Sequence, residues 1–243
     1  MQTSRNISTA LAMAALSLFP GLASAQSAPP PQAQTTVVNP KIPRLSDIAG
    51  VGNPTLINDL RKGGFVIFFR HAATDWGQKD VSYLDFEDRS GQRNLSEAGK
   101  VDAASIGKAF KDLTIPIDSV LVSPMWRCRD TAEIAFGRYE KRMELFGKVP
   151  PRPGESAAPG EERAQYRAVR IQMLSMPPNP GMNRVLVGQQ DPMLPVIPGL
   201  HRDELREGDA LVIRPLGSGK FKIVAQVTPA DWVRLATVHA AAK

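Results

Sequence analysis

Arg70 and His71 stand side by side at the end of an apolar run, Phe65-Val-Ile-Phe-Phe, and a hydroxyl residue, Thr74, follows three positions on. A guanidinium next to an imidazole suits anion chemistry. The planar fork of arginine matches phosphate oxygens, and an imidazole serves as nucleophile or general base. Metal chemistry has no comparable signature here. The three histidines are scattered and neither a CxxC nor an HExxH pattern occurs, so no metal site and no cofactor are expected. Cys128 is the sole cysteine, which rules out an intramolecular disulfide.

The apolar run lies between Gly63-Gly64 and polar residues, as a strand buried on both faces does, and such strands belong to parallel sheets covered by helices. Arg70 and His71 then sit at the carboxyl end of the strand, where open α/β sheets place their ligands. Asn53-Pro54 to Gly63 has the cap, first-turn proline and glycine stop of a short helix feeding that strand. Gln78 to Gln92 is a long polar connection over the strand mouth. Ser96 caps a helix running to about Leu113, with Leu95, Ala98, Val101, Ile106 and Phe110 as its apolar stripe. Ile117–Val122 and Asn183–Val187 are two further apolar strands. Ser123-Pro124 starts a helix after the first of them, with N–H groups that favour phosphate nearby. A helix from Glu161 to Met176 carries Arg163, Arg167 and Arg170 on a solvated face. Two strands, 208–215 and 221–227, form a hairpin, and Thr228 with Asp231 makes a capping box for a last helix through about Val238. The expected fold is a three-layer α/β/α sandwich with a mostly parallel sheet and a C-terminal antiparallel hairpin at its edge.

The 243 residues suffice for one α/β domain with a substantial core, and the net charge of +6 without a Lys/Arg run gives no support to nucleic-acid binding. Residues 1–25 have a basic start, a short apolar core and the small-x-small site Ala23-Ser-Ala25 of a signal peptide. The apolar core is too short and too broken by Pro20-Gly21 for a membrane span. Residues 26–43, rich in Pro, Ala and Gln, read as a flexible linker, and 44–243 as a single domain. A periplasmic or secreted location follows, with no stable membrane span after cleavage.

Arg70-His71-Ala72 with Thr74, Leu95-Ser96-x-x-Gly99, Ser123-Pro124-x-x-Arg127-x-x-x-Thr131 and the strand ending Val187-Gly188-Gln189 occur in an order that resembles the histidine phosphatase superfamily (phosphoglycerate-mutase-like), from about Gly64 to Val227. The resemblance implies metal-independent hydrolysis of a small phosphomonoester through a phosphohistidine on His71. It makes Arg70 and Arg127 the phosphoryl-binding cations and Thr74 a further donor. It reads Arg129 as a surface or rim residue and Cys128 as a small core residue. Where the family has a second histidine this chain has Gln189, a donor that cannot carry charge. The proton for the leaving group has two candidates by chain distance, Glu155 and Asp191. The alternative to an active, if weakened, enzyme is a phosphatase-derived protein that binds a phospho-ligand without turning it over.

Overall fold

The computed structural model describes residues 41–44, 54–82, 84–147, 164–202 and 204–241. The expected signal peptide, most of the expected linker, Glu155 and Arg163 lie outside the described residues. Helix α1 (Pro54–Lys62) stops at Gly63, whose φ of 78° a side chain would strain, and the chain enters strand β1 (Val66–Arg70). Then follow α2 (Glu97–Asp112), β2 (Ile117–Val122), α3 (Trp126–Phe136), the short β3 (Glu140–Lys141) and α4 (Ala164–Ser175). The chain closes with β4 (Asn183–Gly188), β5 (Ala210–Gly217), β6 (Lys220–Val227) and α5 (Pro229–Ala241).

The six strands form one sheet in the order β3-β2-β4-β1-β5-β6. β1, β2, β3 and β4 run parallel, while β5 pairs antiparallel with β1 and with β6. The α/β class, the mostly parallel sheet and the edge hairpin are as expected from the sequence. Alternation along β1 divides the core. Phe65, Ile67 and Phe69 pack with residues of α1, α2, α3 and α5, whereas Val66 and Phe68 pack with Met173 and Leu174 of α4 and with Met193, Val196, Ile197, Leu200 and Leu205. Burial of both faces explains why β1 is apolar throughout rather than alternating.

Three expectations need correcting. On α2 the buried face runs through Gly99, Ala103, Ile106, Gly107 and Phe110, and Val101 is 64 % exposed. The helix must turn its small residues inward to approach its neighbours, so the larger valine faces out. Arg170 does not belong to a solvated face: it is fully buried, and its Nη1 donates to the Glu144 carbonyl at 2.8 Å, while Arg167 is exposed. Helix α3 begins at Trp126 rather than at Ser123-Pro124. Its N-cap Met125 gives no side-chain cap, and the Trp126 N–H is received by Gln92 Oε1 at 3.0 Å. The capping box at Thr228 and Asp231 forms as expected, with the Asp231 N–H on Thr228 Oγ1 at 3.1 Å and the Thr228 N–H on Asp231 Oδ2 at 3.1 Å.

Candidate active site

The carboxyl end of β1 carries the candidate residues. His71 is 2 % exposed, and its backbone is tied on both sides, its N–H to the Gly188 carbonyl at 3.1 Å and its carbonyl to the Gly208 N–H at 2.8 Å. Its Nδ1 lies 2.9 Å from the Ala72 carbonyl oxygen. A carbonyl only accepts, so Nδ1 carries the proton and the lone pair of the neutral ring is on Nε2. Burial holds the His71 pKa well below its ordinary value, and the positive charges of Arg127, Arg70 and Arg93 act in the same direction, against the bond to Ala72. The ring is therefore a neutral base with one defined nucleophilic nitrogen.

Arg70 and Arg127 both act on this ring, from β1 and from the first turn of α3. Arg70 Nη1 donates to the Leu205 carbonyl at 2.8 Å and to Gln190 Oε1 at 3.1 Å. Arg127 is 7 % exposed, and its Nη1 donates to both oxygens of Asp80, at 2.9 and 3.2 Å. The α2 motif serves the same corner. Ser96 caps the helix by accepting the Gly99 N–H at 3.1 Å, and its own N–H donates to the Ala73 carbonyl at 3.0 Å.

Thr74 is buried, but its groups are turned to Glu207: its N–H donates to Oε2 at 2.9 Å and its Oγ1 lies 3.0 and 3.1 Å from the two carboxylate oxygens. Gln189 also points elsewhere than toward Arg70. Its Nε2 donates to Cys128 Sγ at 3.2 Å and its Oε1 is buried without a hydrogen-bond partner, while the adjacent Gln190 is the amide that meets Arg70. Cys128 is fully buried, and burial pushes its thiol up to about 12, in keeping with a core residue rather than a nucleophile. Arg129 is not a surface residue. Its guanidinium lies 3.4 Å above the Trp126 ring, with Nε on the Tyr139 hydroxyl at 3.2 Å, so it clamps the loop before α2 through the Phe86 carbonyl. Asp191 is exposed and paired with Arg202 at 2.8 Å.

Sequence reasoning missed Arg93, Asp80, Glu207 and Gln190. Arg93 is a third cation acting on His71. It stacks 3.9 Å over the Trp76 ring and approaches Glu207 at 3.8 Å, and burial lowers its own pKa. Asp80 joins the set by accepting the Arg93 N–H at 2.8 Å while it holds Arg127. Arg93 and Arg127 each keep a buried Nε without a hydrogen-bond partner. A neutral imidazole among three guanidiniums is an arrangement that can receive a phosphoryl group on nitrogen and stabilise the charge on its oxygens. Among the described residues, no group of three or more His, Cys, Asp or Glu is placed to hold a metal ion, and no helix is long and apolar enough to cross a membrane.

No curated protein matches the chain. Among solved structures it is similar to the protein histidine phosphatase SixA complexed with tungstate, with 16 % identity, a TM-score of 0.47, and 69 % of this chain and 98 % of that one covered. Bacillus stearothermophilus YhfR is similar at 17 % identity and a TM-score of 0.47, over 66 % of this chain and 95 % of that one. The putative phosphohistidine phosphatase SixA from Agrobacterium tumefaciens is similar at 19 % identity and a TM-score of 0.43, over 68 % of this chain and 99 % of that one. The family model that matches, that of the histidine phosphatase superfamily (branch 1), covers residues 66–165, from β1 to the start of α4, and takes in Arg70, His71, Arg93 and Arg127.

Proposed function

We propose that the protein is an exported phosphatase that hydrolyses a small phosphomonoester through a phosphohistidine on Nε2 of His71, without a metal ion. The match to the superfamily's model over residues 66–165 supports a phosphatase or mutase-type enzyme. The observation that carries the finer reading is the hydrogen bond from Nδ1 of His71 to the Ala72 carbonyl at 2.9 Å, which leaves the lone pair on Nε2. Nε2 attacks the phosphorus as the P–O bond to the leaving group breaks, the leaving oxygen taking a proton from solvent. Arg70 and Arg127 meanwhile hold the phosphoryl oxygens, as charge placed in advance where it develops is commonly the largest catalytic term. Water then attacks the phosphorus of the phosphohistidine, the N–P bond breaks, and the ring returns to its neutral tautomer with inorganic phosphate released. Hydrolysis of an aryl phosphate by the mature protein, equal with and without chelator, tests the activity. Export predicts a secreted chain that starts at Gln26 by mass spectrometry.

A second reading has one observation in its favour. The Gln189 amide is bonded to Cys128 Sγ rather than turned to a phosphoryl site, so a binding protein without turnover would look the same at this position. Tight binding of phosphate without hydrolysis of any ester would establish that reading over the first.

A further inference from the structure

The charges around His71 balance in a way that bears on the substrate. Arg70, Arg93 and Arg127 supply three positive charges, and Glu207 and Asp80 return two negative ones. Both carboxylates are built into the site. Glu207 lies 3.5 Å from Arg70 and 3.8 Å from Arg93, is held by the Thr74 N–H and hydroxyl at 2.9 to 3.1 Å, and has a side chain 12 % exposed. Asp80 lies 2.9 Å from Arg127, accepts the Arg93 N–H at 2.8 Å, and has a side chain 27 % exposed. Each is fixed by backbone or hydroxyl donors that no phosphoryl group would displace directly.

A phosphomonoester brings roughly −1.5 to −2 at neutral pH. That already exceeds the single net positive charge left by three guanidiniums and two carboxylates. A phosphoryl group held by Arg70 and Arg127 also has, as neighbours on the same guanidiniums, Glu207 and Asp80. Any further negative charge on the leaving group is repelled by these carboxylates, most strongly by the more buried Glu207 and less by the more exposed Asp80. Two more cations, Lys79 and Arg206, are adjacent in the chain but exposed, where solvent and salt screen them. The other feature beside Arg93 is apolar: Trp76, on whose ring Arg93 is stacked, is 70 % exposed.

Resting on the phosphoryl-transfer reading above, we propose that Glu207 and Asp80 act as a charge filter, so that the substrate is a phosphate monoester whose leaving group is uncharged or cationic. Esters whose leaving group carries a carboxylate or a second phosphate are rejected. Glu207 and Asp80 are in this sense specificity-determining residues, acting on the substrate through charge rather than through the bonds that change.

Three phosphonates of one size test this: 2-aminoethylphosphonate, 2-hydroxyethylphosphonate and phosphonoacetate, which carry a cationic, a neutral and an anionic tail. Their C–P bonds resist this hydrolytic chemistry, so calorimetric titration of the full chain reads affinity alone. The first two are expected to bind at least about tenfold tighter than phosphonoacetate, as like charges placed together across an interface impose. In Glu207→Gln and in Asp80→Asn the gap should narrow. Equal or tighter binding of phosphonoacetate by the wild type overturns the filter. So does a gap unchanged in both variants, each checked by circular dichroism to be folded, and so does failure of all three to bind. The wild-type order decides even where a variant does not fold. If the order holds and no ester is hydrolysed, the filter stands and the phosphatase reading falls.

Discussion

A methyl group at position 99 would overlap the carbonyl oxygen of Ala73, so Gly99 lets the first turn of α2 rest directly on the backbone two residues beyond His71. This gives the Leu-Ser-x-x-Gly pattern a physical role: Ser96 caps the helix on that carbonyl and Gly99 makes room for it. Gly99→Ala should cost about 1–3 kcal/mol of stability, the range for overpacking a tight contact. It should lower kcat by more than that loss of folded protein explains, because the His71 loop must shift. Urea unfolding and active-site-normalised turnover, measured together, separate the two effects.

Arg127 and Arg70 have different fates on truncation. Arg127→Ala removes a phosphoryl donor and should lower kcat about a hundred- to a thousandfold. It also strips Asp80 of its guanidinium partner, leaving the carboxylate with the Arg93 N–H, so some stability is lost locally around Asp80. Arg70→Ala should cost comparable activity and in addition loosen segment 190–207, since Arg70 bonds Gln190 and Leu205 and pairs with Glu207. Hydrogen exchange over that segment distinguishes the two variants.

Gln189→His should raise kcat rather than affinity, because a ring that can carry charge strengthens its interaction as negative charge develops on the phosphoryl oxygens. The present amide is bonded to Cys128 Sγ, so the gain requires the new ring to leave that partner. Gln189→His with Cys128→Ala should therefore exceed Gln189→His alone. Steady-state kinetics on an aryl phosphate reads both.

Acid should destabilise the fold through His71. Its folded pKa lies well below the ordinary value, so as pH falls through the unfolded value of about 6.5 the unfolded chain gains a proton that the folded one refuses. The contribution is complete above that pH and is lost as pH falls toward the folded pKa, with a slope approaching about 1.4 kcal/mol per pH unit. The stability difference between wild type and His71→Gln, followed by urea unfolding from pH 7.5 to 5, should shrink toward acid.

What the sequence shows of this site is what local pattern determines. A continuous apolar strand, its carboxyl end, a serine cap and a terminal capping box each depend on neighbours in the chain, and Arg70, His71 and Arg127 come with them. Glu207 depends on a distant pairing. Ala210 lies opposite Phe69 in the antiparallel β1–β5 ladder, and this brings the residues just before β5 to the mouth of β1. No local spacing reports that register. Asp80 and Arg93 enter through folding of a polar loop held by Gln92 and Arg129, which composition describes only as a connection. Pattern alone places Arg129 at the surface or rim and Arg170 on a solvated face, where arginines usually lie; here an aromatic stack and a backbone carbonyl receive them inside.

The most direct test is rapid quench of the mature protein with a 32P-labelled phosphomonoester, followed by nuclear magnetic resonance of the labelled histidine. The mechanism predicts an acid-labile, base-stable phosphoryl group on Nε2 of His71, absent in His71→Ala. Label on Nδ1, label that persists in His71→Ala, or hydrolysis with no phosphorylated protein at any time would contradict it.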